Sequence, residues 1–122
     1  MAKILVVDDA LTDRALAGGL LKKSFDCDIF EAPDGEAALA QIEQEPPDLV
    51  LTDLIMPGQE GVETILELRK EFPEVRIIAM SGGGRSEPGS FLGFANKLGA
   101  TDTLEKPFSR DKLLDTIAKV LN

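Results

Sequence analysis

Short aliphatic and β-branched runs alternate along this chain with longer stretches in which apolar residues recur every third or fourth position. The runs Lys3-Ile4-Leu5-Val6-Val7, Leu49-Val50-Leu51-Thr52 and Arg76-Ile77-Ile78-Ala79-Met80 predict strands near 3–7, 49–53 and 76–80, with further strands near 27–32 and 101–105. Helices are expected near 12–24, 35–45, 60–71, 88–98 and 110–121. In the segment 88–98, Phe91, Phe94, Ala95 and Leu98 share one helical face, and in the last segment Leu113, Leu114, Ile117, Ala118 and Leu121 form a similar stripe. Asp34 and Ser109 are suited to cap helix N-termini, and Pro46-Pro47 stops a helix before the third strand.

The first, third and fourth strands are almost wholly apolar, as strands covered on both faces must be. Five strand–helix units with short spacers imply parallel pairing and right-handed crossovers, hence an α/β open sheet. Residues 1–122 are expected to form a single domain, with no repeat, linker or output domain. Two segments are less regular. Gly18-Gly19 falls inside the first helix, where each glycine costs about 1 kcal/mol relative to alanine, and close packing of that helix on the sheet is the expected reason. Residues 81–89, Ser-Gly-Gly-Gly-Arg-Ser-Glu-Pro-Gly, read as a loop.

Charge and composition narrow the function. The net charge of −9 repels nucleic-acid phosphates, and Lys22-Lys23 and Arg69-Lys70 are isolated basic pairs, so no direct nucleic-acid binding is expected. No apolar run of about 18 residues is present to span a membrane. The N-terminus enters strand residues at once, without a signal-peptide pattern, so a cytoplasmic location is expected. Cys27 is the sole cysteine, which excludes an internal disulfide and a thiolate zinc cluster; it reads as a small core residue of the second strand. Histidine is absent, which removes His-based triads and zinc sites and leaves any phosphohistidine to a partner.

Polar residues stand where the strands run out: Asp8 and Asp9, Asp53, Ser81 and Lys106. In an open parallel α/β sheet, ligands bind outside the carboxyl ends of the strands where the winding order reverses, so these residues are expected to meet. Taken singly each has an ordinary explanation: Asp8-Asp9 suits a turn, Ser81 a helix cap and Lys106 a solvated surface. Their joint placement points to a site. Asp53 follows Leu-Val-Leu-Thr in a strand expected to be buried, where an ionised carboxylate is costly without a partner. Clustered carboxylates call for a cation, and an oxygen-only set favours Mg²⁺ or Mn²⁺ over zinc. The Lys106 amine suits phosphoryl oxygens, to which Ser81 can also donate.

With these residues in place, the chain resembles a receiver domain of the two-component response regulators. The matching elements are Ile4-Leu5-Val6-Val7-Asp8-Asp9, Asp53-Leu54-Ile55-Met56-Pro57 with Gly61, Ala79-Met80-Ser81-Gly82 and Lys106-Pro107-Phe108, and the match spans essentially the whole chain. The resemblance implies a flavodoxin-like, doubly wound five-stranded sheet in the order 2-1-3-4-5 with five helices. It implies that Asp53 accepts a phosphoryl group from a histidine kinase or phosphotransfer protein, catalysing only its own phosphorylation and dephosphorylation. Asp9 and Asp53 would ligate Mg²⁺ directly, Asp8 through a water, and the Ile55 carbonyl would complete the protein ligands. Lys106 would bind the phosphoryl group ahead of a cis bond to Pro107. Ser81 would move to the phosphoryl oxygen and so pass the signal to a downstream protein partner.

The chain departs from that family in three places. Thr103 stands where receivers commonly carry Tyr or Phe, so the signal is expected to leave through the Gly-rich loop and the 88–98 segment, with Phe91 and Phe94 as candidates. The Ser81-to-Lys106 stretch is a few residues longer than usual, and its glycines lack the Gly-Lys-Ser/Thr of a nucleotide loop. Ile55 and Gly83 replace polar residues that would orient water, which predicts slow hydrolysis of the acyl phosphate. Two other readings compete: a degenerate receiver acting as a phosphorylation-independent interaction module, and an aspartyl-phosphate metal-dependent hydrolase. The hydrolase would need a second acid or base and a covering cap, and the sequence has no insertion to supply one.

Overall fold

Every residue of Leu49–Asp53 is buried, and so are the last four of Ala2–Val7, because these two strands lie inside a sheet that is covered on both sides. The structure is a computed structural model and describes residues 2–8, 11–24, 27–53, 61–81, 99–105 and 108–121. In chain order the elements are β1 (Ala2–Val7), α1 (Leu11–Ser24), β2 (Cys27–Ala32), α2 (Gly35–Gln44), β3 (Leu49–Asp53), α3 (Gly61–Glu71), β4 (Arg76–Ser81), β5 (Asp102–Glu105) and α4 (Arg110–Leu121). Each described element falls within a residue or so of its expected bounds. The helix expected over 88–98, with Phe91 and Phe94, lies outside the described residues, as does the loop 82–89.

The five strands pair in the order β2-β1-β3-β4-β5, all parallel. The alternation of side chains along each strand divides the core in two. Leu5, Val7, Val50, Ile77 and Ala79 meet Ala38 and Ile42 of α2 and Ile65 and Leu68 of α3. Ile4, Val6, Leu49, Leu51, Ile78 and Met80 meet Ala17 and Leu21 of α1 and Leu113, Ile117 and Val120 of α4. A fully buried Leu or Ile contributes about 1.5–3 kcal/mol, so the two layers together account for most of the driving force. Cys27 takes its expected place in the second layer.

Local chemistry starts the helices. Asp34 Oδ1 accepts from the Ala37 N–H at 2.8 Å, and Ser109 Oγ accepts from the Lys112 N–H at 3.1 Å, so both expected caps form. On α4 the buried line differs from the expected stripe. Thr116 and Val120 are buried with Leu113 and Ile117, while Leu114, Ala118 and Leu121 are only half-buried. The Thr116 hydroxyl is satisfied by donating to the Lys112 carbonyl at 2.8 Å, which is how a polar residue enters the core face. The glycine pair also divides. A Cβ on Gly18 would meet Ile29 Cγ2 at 3.2 Å, so this glycine does bring α1 close to β2, whereas Gly19 faces open space.

The order of the strands matters most for function. From β1 the chain passes through α1 to β2 on one side, then returns through α2 to β3 on the other side of β1. Helices α1 and α3, which follow β1 and β3, lie on opposite faces of the sheet. The winding order therefore reverses between these two strands, and beyond their carboxyl ends lies the crevice in which such sheets are expected to bind ligands.

Candidate functional site

Both strands that flank this crevice end in a carboxylate. Asp8 follows β1 directly and is 1% exposed; Asp53 closes β3 and is 8% exposed. The Asp8 N–H donates to the Ala32 carbonyl at 3.2 Å, which carries the β1–β2 pairing one residue further and holds Asp8 to the sheet. Val7 is the register partner of Thr52, so the next residues, Asp8 and Asp53, are cross-strand neighbours. Adjacent strands run about 4.8 Å apart. Two carboxylates on neighbouring strand ends favour a positive charge nearby.

The sheet brings the other strand ends to the same edge. Asp53 pairs with Met80, and Ser81, one residue further, closes β4 opposite Glu105 of β5. Lys106 follows Glu105 in the chain. Asp8, Asp53 and the backbone of Ser81 thus lie along one edge of the sheet. Asp9, Ile55, Lys106 and Pro107 lie outside the described residues, and so does the side chain of Ser81. Among the described residues no three acidic, Cys or His groups are gathered in one place. The oxygen-only donors Asp8 and Asp53 fit a hard divalent cation, which would offset their two negative charges.

Two threonines flank this site, and only one was singled out from sequence. Thr103 pairs with Ala79 on β5, is half-buried, and its N–H donates to Asp102 Oδ1 at 2.8 Å. Thr52 precedes Asp53, is 0% exposed, and its hydroxyl donates to the Asp53 carbonyl at 3.1 Å. A hydroxyl closing an otherwise aliphatic run next to a candidate nucleophile is the signal that would have found it. A cavity of about 150 Å³ lies elsewhere, between α2 and the β1–β2 side of the sheet, lined by Leu5, Phe30, Ile42 and Pro47 with Gln41, Gln44 and Glu45. None of the strand-end residues lines it. No helix among the described residues is long and apolar enough to cross a membrane.

Known proteins match this chain over nearly its whole length. A family profile described as the response regulator receiver domain matches residues 4–118. The chemotaxis protein CheY of Bacillus subtilis is 34% identical over 120 residues, covering 98% of each chain. The sporulation initiation phosphotransferase F of the same organism is 33% identical, covering 98% of this chain and 93% of its own. The crystal structure of NtrX from Brucella abortus superposes with a TM-score of 0.89 at 34% identity over 98% of this chain, which spans only 26% of NtrX.

Proposed function

This chain belongs to the family of response regulator receiver domains, the phosphoacceptors of two-component signalling, and we propose that Asp53 is the residue that takes the phosphoryl group. The observation that carries this reading is the pair of buried carboxylates, Asp8 and Asp53, at the carboxyl ends of the paired strands β1 and β3. A cation-assisted phosphoryl transfer gives a reason for two carboxylates to stand together here.

Asp8, Asp9, Asp53 and the Ile55 carbonyl would hold Mg²⁺ or Mn²⁺, which supplies charge neutralisation for the phosphoryl oxygens and the carboxylates. Asp53, fixed at the end of a buried strand, presents a carboxylate oxygen in line with the phosphorus of a partner's phosphohistidine. The P–N bond breaks as the O–P bond forms, and the imidazole, protonated on its other nitrogen, leaves as the neutral ring. Lys106 pairs with the phosphoryl oxygens and Ser81 donates a hydrogen bond to them, so the protein contributes position and charge, as this chemistry requires. The donor is a histidine kinase or histidine phosphotransfer protein, since this chain has no histidine of its own. Residues 1–122 act as one receiver unit that signals to a protein partner and binds no nucleic acid directly. Its catalysis is confined to its own phosphorylation and dephosphorylation.

Thr103, in place of the usual aromatic, favours a second reading in which the domain signals by docking alone. One experiment separates the two. Intact mass is measured after incubation with acetyl phosphate, with and without Mg²⁺, for wild type and Asp53→Ala. A single Mg²⁺-dependent phosphoryl addition, lost in the variant, is the expected result. No addition in wild type, with acetyl phosphate or a cognate kinase, leaves the docking module as the function.

A further inference from the structure

We infer that Thr52 is a positioning residue for the phosphoacceptor: its buried hydroxyl locks the peptide on the far side of Asp53. The inference rests on the reading of Asp53 as the phosphorylated residue.

Thr52 is fully buried, and its partners across the sheet are Val7 on one side and Ala79 on the other. Packing in this apolar row asks for valine, which has the same shape and no desolvation cost. The hydroxyl is instead spent on one contact, a 3.1 Å hydrogen bond to the main-chain carbonyl of Asp53. That bond has a specific consequence. Asp53 is suspended between the peptide it shares with Thr52 and the peptide it shares with Leu54. Thr52 belongs to the first, and its side chain grips the carbonyl of the second. Rotation about the Asp53 backbone dihedrals stretches the bond, so the root of the carboxylate is held from both sides. Rotation about the Asp53 N–Cα bond would re-aim its side chain, and rotation about its Cα–C bond would re-aim the chain running on to the Ile55 carbonyl. A group that must meet a cation and an in-line phosphorus gains from being fixed before either arrives.

The test uses Thr52→Val, which keeps shape and loses the hydroxyl, and Thr52→Ser, which keeps the hydroxyl, with Asp53→Ala as control. Two readouts are taken: the Mg²⁺ dissociation constant from the rise of Tm with Mg²⁺ in the absence of a phosphodonor, and the phosphorylation rate by acetyl phosphate at saturating Mg²⁺. Thr52→Val is expected to fold with a Tm at or above wild type, to bind Mg²⁺ about fivefold more weakly, and to phosphorylate more slowly by a similar factor, the scale of one neutral hydrogen bond. Thr52→Ser is expected to match wild type in both. Thr52→Ala carries the same comparison should the valine disturb packing. If wild type is phosphorylated at Asp53 but the hydroxyl-free variants bind Mg²⁺ and react as wild type does, Thr52 is merely structural and the inference falls. If wild type neither responds to Mg²⁺ nor takes a phosphoryl group, it is the reading of Asp53 that fails.

Discussion

Arg69 Nε donates to the carbonyl oxygen of Gly99 at 2.6 Å, tying the last turn of α3 to the chain just before β5. The same guanidinium donates to the carbonyls of Pro73 at 2.9 Å and Val75 at 2.6 Å and to the Thr101 hydroxyl at 3.2 Å. Thr101 in turn accepts from the Ile77 N–H, at the start of β4. Burial pulls the Arg69 pKa below its usual value, but the group stays cationic, and its planar fork suits several carbonyls at once. Gly99 sits at φ +119°, and a Cβ there would lie 2.6 Å from Arg69 Cγ.

Gly99→Ala is therefore expected to lower stability by roughly 1–3 kcal/mol through backbone strain and contact with Arg69. In an Arg69→Ala background the contact is gone and only the strain remains, so the same substitution should cost less. Urea denaturation of the two single variants and the double variant measures this coupling. Simple additivity would mean that the two residues do not constrain each other.

Asp102 and Lys119 join β5 to α4 through a 2.8 Å ion pair. Partial burial pushes the Asp102 carboxyl up, but the Lys119 hydrogen bond, the Thr103 N–H and the charges of Lys119 and Lys112 outweigh it, leaving the group below its ordinary 3.8. A carboxyl lowered on folding adds stability that is complete above its unfolded pKa and disappears as pH falls through the folded value. Lys119 is largely exposed, so the effect is small: Asp102→Asn should cost about 0.5 kcal/mol at neutral pH. The gap between wild type and variant should close as the solution is acidified below the ordinary carboxylate range. A gap that stays constant through that range would assign the effect to packing.

Asp8 and Asp53 stand at the ends of neighbouring strands, where one cation would meet both. Asp8→Asn should stay folded in Mg²⁺-free buffer, since the amide keeps the shape of the carboxyl. It should also weaken or remove the rise in Tm that Mg²⁺ gives to wild type through preferential binding to the folded state. Differential scanning fluorimetry with and without Mg²⁺ shows both. An unchanged Mg²⁺ response would place the cation away from Asp8.

Ile55 offers no polar group to orient a water towards an acyl phosphate. The phosphoryl group on the isolated protein should persist for minutes or longer, and Ile55→Asn should shorten its life. Decay followed by intact mass tests this, and a wild-type half-life of seconds would refute it.

Much of the fold was legible in the chain because its causes are local. Aliphatic runs too apolar to face water marked β1, β3 and β4, side-chain caps at Asp34 and Ser109 marked helix starts, and polar residues closing the runs marked the edge where the site would lie. The local pattern was less informative on α4, where Thr116 takes a core position that hydrophobicity assigns to a neighbour, because a hydroxyl can be satisfied within its own helix. Other features depended on which segments become neighbours. Asp8 lies beside Asp53, and not two strands away, because β3 returns to the far side of β1, an order that was carried over from the family resemblance and not from any local pattern. Thr52 acquires its apolar flanks, and Arg69 its carbonyl partners, from strand register and from the segments that the assembled sheet brings together. Composition and periodicity determined that carboxylates would end buried strands. Only the tertiary structure decided which of them stand together, because cross-strand neighbours are set by the order and register of the sheet and not by distance along the chain.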